Sequence, residues 1–308
     1  MLNYYKKLTY LFKISKNTLA ILLIFISIFF GTTMGALMKL AQTDLNVYTA
    51  GFLRFFLGLI IVTPYIFKSR FKVYETRNFK IHLIRSGLNL PAMLIGFAAL
   101  TLVPLEKISA LSFIVPFIVT ILAVVFLKER IRLYRISALI IGFIGMLIIL
   151  RPGIIDVSVG IQMSLLSSLF WAVVIILTKK LTKNDSAITI LTYQYTIMTV
   201  LSFLTVIFFW QNPSFISLIY LLLAALSGTI THIALNHAFK LVDVSMTQPF
   251  SFFGLIIASL YGYLIFDEKP DIYTWVGASV IFIGITLITI REIQLNKDLI
   301  RRKININS

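Results

Sequence analysis

Ten long apolar runs, separated by short polar segments, occupy most of this chain. Each run approaches the roughly 20 residues that an α-helix needs to cross the hydrocarbon core of a bilayer. The runs lack the alternation of apolar and polar residues that strands of a membrane β-barrel have. The pattern therefore predicts an all-α integral membrane protein with ten transmembrane helices, at Thr18–Met38, Tyr48–Phe67, Ser86–Val103, Ile108–Leu127, Tyr134–Leu150, Ser158–Thr178, Ile188–Trp210, Phe215–Phe239, Val244–Phe266 and Tyr273–Ile290.

Composition supports lipid as the solvent of these helices. Hydrophobic residues make up 59% of the chain and charged residues only 13%, which is more apolar side chain than the core of a soluble domain can bury. The net charge of +16 could indicate nucleic acid, but the basic residues lie in short loops rather than on one face of a soluble domain. The chain has no cysteine, so disulfides and thiolate metal sites are excluded.

An internal repeat relates the two parts of the chain. A shift of 139 positions places Glu129 on Glu268 and Gly145 on Gly284, within similar apolar runs. Each copy holds five predicted helices, and an odd number of crossings makes the second copy enter the membrane in the opposite direction. The expected organisation is an N-terminal segment 1–17, a first repeat 18–153, a second repeat 154–291 and a C-terminal tail 292–308.

The distribution of Lys and Arg predicts the orientation of the helices. With the N-terminus in the cytoplasm, the cytoplasmic segments hold 23 of these residues and the external loops hold 4. The basic residues before Thr18 resemble the start of a signal peptide, but the following apolar run is longer than that of a signal peptide. We therefore expect a retained first helix, with both termini cytoplasmic and the protein in the inner membrane.

Several segments carry a family resemblance through their order and spacing. They are Arg54 within FLRFFLG, the run from Ala98 to Pro116 that ends in SFIVPF, the turn LKER at 127–130, and Gly142 to Gly145 ahead of Arg151-Pro152-Gly153. Together they make the chain similar to the EamA branch of the drug/metabolite transporter superfamily. The resemblance implies two five-helix repeats that move a small metabolite by alternating access around a site near the membrane midplane.

The resemblance also bears on the substrate. Within the family the chain is most similar to members that take up S-adenosylmethionine, which implies this substrate, with exchange for S-adenosylhomocysteine as a simple mode of coupling. Export of amino acids or other metabolites and flipping of a lipid-linked sugar are the alternatives. The expected partners are a small-molecule substrate and the lipid bilayer, with a homodimer left open and no nucleic acid.

Polar and aromatic residues inside the predicted helices are the candidates for contact with substrate. Arg54 is expected to be the only charge within the membrane, and either a functional role or bracing of the second helix explains it. Gly228, His232 and Asn236 share one face of the eighth helix, which lines a cavity or forms interhelical hydrogen bonds. The candidate substrate-binding residues are Arg54, Asn89, Trp171, Tyr193, Gln194, His232, Asn236, His237 and Gln248.

Other motifs are absent or are expected to be structural. The sequence has no Gly-rich phosphate loop, nucleophile–base pairing or metal signature. We therefore expect no enzymatic activity, no cofactor and no metal site. Glu129 and Glu268 are expected to stabilise the N-termini of the fifth and tenth helices. Pro91, Pro116 and Pro249 are expected to interrupt the third, fourth and ninth helices.

Overall fold

The computed structural model describes residues 16–112, 114–129, 131, 133–151, 158–268, 271–284, 286–287 and 290. The predicted terminal segments 1–17 and 292–308 lie almost entirely outside these residues. Every regular element in the described part of the chain is a helix. The α-helices are α1 (Lys16–Ala41), α2 (Val47–Lys68), α3 (Phe79–Leu102), α4 (Leu105–Leu111), α5 (Ile114–Leu127), α6 (Leu133–Leu150), α7 (Val159–Leu181), α8 (Ala187–Val206), α9 (Phe215–Leu241), α10 (Val244–Thr247), α11 (Phe253–Phe266) and α12 (Ile272–Gly284), with 3₁₀ turns at Lys72–Tyr74 and Gln248–Phe252.

Seven segments of the described chain are long and apolar enough to cross a membrane. They are α1, α2, α3, α7, α8, α9 and the segment Val244–Phe266, and three shorter apolar helices accompany them. Bulky apolar side chains such as Phe126, Phe208 and Leu264 point away from the protein, where lipid can cover them. The prediction of an all-α membrane protein is thus confirmed, and the chain crosses the membrane several times.

Short polar side chains begin four of the long helices. Asn46, Ser186 and Ser214 each accept a hydrogen bond from the backbone N–H three residues later, at 2.9, 3.0 and 3.1 Å. Ser158 makes the same contact at the start of α7. These caps satisfy backbone donors that a helix leaves unpaired at its start, so they determine the residue at which each helix begins.

Two predicted helices are broken into two pieces, at similar places in the two halves of the sequence. The predicted helix Ile108–Leu127 is divided into α4 and α5, two residues before Pro116. The predicted helix Val244–Phe266 is divided by a 3₁₀ turn that contains Pro249. Because proline lacks a backbone N–H, the α-helical hydrogen bonds end there. The expectation for Pro91 was wrong, because α3 continues through it.

The loops meet in two separate groups. Thr76 donates a hydrogen bond to Asp185 at 2.9 Å, and this group of loops is called the Asp185 end. Ser214 donates to Asp44 at 2.8 Å, and this second group is called the Asp44 end. Hydrogen bonds from Ser214 and Ser217 hold the pKa of the exposed Asp44 carboxyl below its usual value. A helix as long as α1 spans roughly 39 Å, which separates the two ends by about the thickness of a membrane.

Helices from the first half of the sequence pack against helices from the second half. Gly31 on α1 lies against Thr231 on α9, and Gly96 on α3 lies against Ser167 on α7. Ser167 also donates a hydrogen bond to the carbonyl oxygen of Ala92 at 2.7 Å. Small residues allow such close approach of helices in membranes. The space between the two halves is therefore enclosed by both of them.

Candidate functional site

A cavity of about 420 Å³ lies between the helices of the two halves. Helices α1, α2, α3, α4 and α5 line it from the first half, and α7, α8, α9, α10 and α11 line it from the second. Its volume lies in the range of about 300–1,000 Å³ that is typical of small-molecule sites. The polar and aromatic side chains in its wall belong to Ser27, Thr32, Arg54, Phe55, Asn89, Phe97, Ser112, Ser167, Ser168, Trp171, Gln194, Thr231, His232, Phe239, Thr247, Gln248 and Ser251.

Most of the candidate residues from the sequence contribute to this wall. The tertiary structure brings together side chains from α2, α3, α7, α8, α9 and the 3₁₀ turn after α10. Trp171 approaches His232 with ring centroids 6.4 Å apart. The amide of Gln248 donates to the carbonyl oxygen of Val244 at 3.1 Å, which holds it at the break in this segment. The candidates that line the cavity are Arg54, Asn89, Trp171, Gln194, His232 and Gln248.

The other three candidates lie outside the cavity wall. Tyr193 donates from its hydroxyl to the carbonyl oxygen of Tyr74 at 2.7 Å and stacks on His82, which places it at the Asp185 end. Asn236 is buried and donates to the carbonyl oxygen of Ala187 at 3.3 Å, so it connects α9 to the start of α8. His237 is half-buried on another face of α9 from His232.

Arg85 is a buried residue that lies one position before the predicted third transmembrane helix, Ser86–Val103. It lies in the second turn of α3, is 2% exposed, and donates to Thr178 at 2.6 Å and to Gln194 Oε1 at 2.9 Å. The sequence predicts Arg54 as the only charge within the membrane, and in the structure Arg85 and Arg135 are buried among the helices as well. A signal for this role exists in the sequence, because Arg85 and Asn89 are four residues apart and share one face of a helix.

The contact with Arg85 orients the amide of Gln194. Because Oε1 accepts from Arg85, the NH₂ group of Gln194 points the other way, towards His232 Nε2 at 3.4 Å. An NH₂ group only donates, so Nε2 of His232 is the acceptor and its proton is on Nδ1 in this arrangement. Arg85 thus acts on the cavity indirectly, through two residues that line it.

Glu129 forms a contact between the two halves near the Asp185 end. Its two carboxylate oxygens accept hydrogen bonds from the backbone N–H groups of Val244 and Ser245, each at 3.0 Å. Lys179, at the end of α7, donates to the carbonyl oxygens of Phe239 and Val242 beside this contact. Glu129 was expected to stabilise the helix that follows it, but it joins the start of α10 in the other half.

Glu268 forms the corresponding contact near the Asp44 end. Its Oε2 accepts from the backbone N–H of Leu105, the first residue of α4, at 3.1 Å. Its Oε1 forms an ion pair with Lys39, at the end of α1, at 2.6 Å. Glu268 was expected to stabilise the helix that follows it, and it too joins the other half. The shift of 139 positions that relates Glu129 to Glu268 also relates Leu105 to Val244, so the contacts correspond.

The arrangement suits non-covalent binding of a small molecule. Aromatic rings, amides and one guanidinium surround the space, and the described residues contain no group of His, Asp or Glu side chains that could hold a metal ion. The fold and cavity define a multi-pass membrane protein with an internal small-molecule site. A small-molecule site between halves that are joined near opposite ends is typical of membrane transporters.

Comparison with known proteins identifies the family. The model of the EamA-like transporter family matches this chain twice, at residues 18–151 and 158–290. The S-adenosylmethionine uptake transporter of Rickettsia felis is 32% identical over 252 residues, covering 82% of this chain and 85% of that protein. The riboflavin transporter of Vibrio cholerae is 28% identical and covers 80% of this chain and 84% of that protein. A solved crystal structure with 16% sequence identity has the same fold, with a TM-score of 0.74 over 90% of this chain and 98% of that one.

The chain belongs to the EamA-like transporter family. The resemblance that the sequence motifs carried is therefore confirmed, as is the prediction of a transporter rather than an enzyme. Its partner is a small-molecule substrate, as for the transporters to which it is similar.

Proposed function

We propose that this protein takes up S-adenosylmethionine across the inner membrane. The observation that carries the proposal is the extent of its similarity to the Rickettsia felis transporter of that name, which covers 82% of this chain. The chemistry of the cavity supports it. Trp171 offers a face for stacking of the adenine ring, and the amides of Asn89, Gln194 and Gln248 can pair with its polar edge.

The aromatic wall also suits the positive charge of a sulfonium group. Trp171 and Phe55 both line the cavity, and the faces of aromatic rings attract cations within about 6 Å. A sulfonium carries its charge without N–H donors, so it needs an aromatic face rather than a hydrogen-bond acceptor. The site residues of the proposal are Arg54, Asn89, Trp171, Gln194, His232 and Gln248, while Tyr193, Asn236 and His237 act through helix packing.

The transport cycle we propose is alternating access between two inverted repeats of five helices each. The ten helices of this arrangement are α1, α2, α3, α4 with α5, α6, α7, α8, α9, the segment Val244–Phe266, and α12. The two matches of one family model, at 18–151 and 158–290, support two equivalent repeats. The contacts of Glu129 and Glu268 support the inversion, because one lies near the Asp185 end and the other near the Asp44 end. In the proposed cycle each contact acts as the closure at its own end, and each must open in turn for the substrate to pass.

The Asp185 end faces the cytoplasm in this proposal. Its described loops and helix ends carry Lys68, Arg70, Lys72, Arg77 and Lys183, among other basic residues, whereas the Asp44 end has few. The 23 Lys and Arg residues counted in the cytoplasmic segments include Arg85, which is buried in α3. Without it the count is 22, and the excess of Lys and Arg on the cytoplasmic side remains. A homodimer is compatible with this arrangement, because the cavity lies within one chain.

A test of orientation uses reporters at the C-terminus. We expect a fusion to a fluorescent protein that matures in the cytoplasm to be bright, and a fusion to alkaline phosphatase, which is active only outside the cytoplasm, to be inactive. The excess of Lys and Arg at the Asp185 end is the physical reason. The converse pair of signals would reject the orientation and the assignment of the two ends.

A test of function uses membrane vesicles that contain the protein. We expect labelled S-adenosylmethionine to enter, and entry to be faster when the vesicles are loaded with S-adenosylhomocysteine, because a product that leaves returns the carrier to its starting state. Labelled riboflavin serves as the control substrate. Uptake of riboflavin without uptake of S-adenosylmethionine would show that the proposed substrate is wrong. Uptake that is stimulated only by a proton gradient would show that the proposed exchange is wrong.

A further inference from the structure

Arg54 lies in the wall of the cavity, and none of the described residues is an anionic partner for it. It is 3% exposed, and its guanidinium carbon lies 4.3 Å from the centroid of the Phe55 ring. Its Nη2 donates to the thioether sulfur of Met34 at 2.9 Å, which is a weak acceptor. Its Nε has no hydrogen-bond partner in the described structure. The immediate surroundings therefore supply only soft, neutral contacts to a permanent positive charge.

Arg85 and Arg135 are buried as well. Arg85 donates to the oxygens of Thr178 and Gln194 and leaves its Nη1 without a hydrogen-bond partner in the described structure, but it does not line the cavity. Arg54 does line it, and no carboxylate occurs among the described residues of the wall. Gly228 makes room for the guanidinium, because a Cβ there would lie 2.8 Å from Nη2 of Arg54. The structure thus holds a buried cation in the wall of the cavity.

A buried charge is costly unless an opposite charge accompanies it. Arginine stays protonated in proteins, so Arg54 cannot avoid this cost by losing its proton. Bracing of α2 through backbone carbonyls, the alternative role, would require oxygen acceptors, and the acceptor found is the sulfur of Met34. The missing negative charge must then come from what enters the cavity.

We propose that Arg54 binds a carboxylate group of the transported molecule. The inference rests on the proposed function and goes further, because it states which chemical group of the substrate the site requires. A planar guanidinium matches a carboxylate with two parallel hydrogen bonds, and the buried Nε of Arg54 has no such partner among the described residues. The amino-acid part of S-adenosylmethionine carries a carboxylate, whereas riboflavin carries none.

The experiment compares two competitors of labelled S-adenosylmethionine uptake in vesicles. Decarboxylated S-adenosylmethionine keeps the adenosine and the sulfonium but lacks the carboxylate, whereas S-adenosylhomocysteine keeps the carboxylate and lacks the charge on sulfur. We expect S-adenosylhomocysteine to compete well and the decarboxylated compound to compete about 10- to 100-fold less well, as loss of a charged hydrogen-bond partner implies. Equal competition by the two compounds overturns the Arg54 proposal and leaves S-adenosylmethionine transport intact.

Variants of Arg54 separate substrate binding from support of the fold. In Arg54→Met we expect the KM for S-adenosylmethionine to rise and the preference for carboxylate-bearing competitors to disappear. Arg54→Lys, which keeps the charge without the planar fork, should retain part of that preference. The same change at an exposed position, Arg77→Met, should leave both the KM and the preference unchanged.

Two results would contradict the proposal. One is an Arg54→Met protein with reduced uptake but an unaltered preference for carboxylate-bearing competitors. The other is an Arg54→Lys protein that, like the wild type, shows no such preference. Absence of any uptake by the wild type would instead reject the proposed function.

Discussion

Replacement of Glu129 by glutamine is expected to lower S-adenosylmethionine uptake about tenfold, and so is Glu268→Gln. Each carboxylate accepts charge-assisted hydrogen bonds from backbone N–H groups of the other half. Such bonds contribute about 1.5–3 kcal/mol each, which is about a 10- to 100-fold change in an equilibrium. A neutral amide at one of these positions weakens the contact that closes that end and leaves the contact at the opposite end intact. The transporter then remains mostly open at the end that carries the substitution. Uptake at equal membrane abundance is the measurement, with the exposed Glu75→Gln as the matched control.

The two variants should differ in which end they open. The chain has no cysteine, so a cysteine in place of Ser167, in the cavity wall, is the single labelling site. A thiol reagent that does not cross membranes, added outside, should label this cysteine faster in Glu268→Gln and more slowly in Glu129→Gln than in the parent. Labelling that changes in the same direction in both variants would contradict opposed closures.

Arg85→Met is expected to lower uptake to a similar extent, although Arg85 does not line the cavity. Without its hydrogen bond to Oε1, the amide of Gln194 is free to rotate, and its donor no longer points towards His232. The exposed Arg77→Met is again the control. Uptake should fall, with little change in the amount of protein in the membrane.

Gln194→Glu distinguishes orientation of Gln194 from a purely structural role of Arg85. A glutamate keeps the acceptor for Arg85 and adds an ion pair, but it removes the NH₂ group that donates to His232. We expect thermal stability in detergent to be retained and uptake to be lost. Normal uptake by Gln194→Glu, together with loss in Arg85→Met, would show that Arg85 supports the fold rather than the site.

Much of the fold follows from local properties of the sequence. Lipid requires helices to satisfy their own backbone hydrogen bonds, so a run of about 20 apolar residues predicts where a helix lies. The same rule identifies polar side chains within a run as exceptional, which is why Arg54, Trp171 and His232 could be selected before the structure was known. It fails for Arg85, because a hydropathy pattern ends at a charged residue and excludes a buried arginine near the start of α3.

The breaks in the helices were only partly predictable. Pro116 and Pro249 indicated positions where an α-helical hydrogen bond is missing, and the chain is interrupted near both. Pro91 indicated the same and has no such effect, because α3 continues through it. Proline removes one hydrogen bond and adds one steric clash, and the packing of neighbouring helices determines whether a helix ends or continues.

The sequence by itself determined the helical class, the membrane as solvent, the internal repeat and six of the polar and aromatic residues that line the cavity. Only the tertiary structure decided which of them meet. Gln194 and Arg85 are 109 positions apart, Glu129 and Val244 are 115, and Leu105 and Glu268 are 163. Hydropathy and propensity depend on neighbours along the chain, whereas these contacts depend on how helices from the two halves pack. That packing places Tyr193, Asn236 and His237 outside the cavity wall and Arg54 within it.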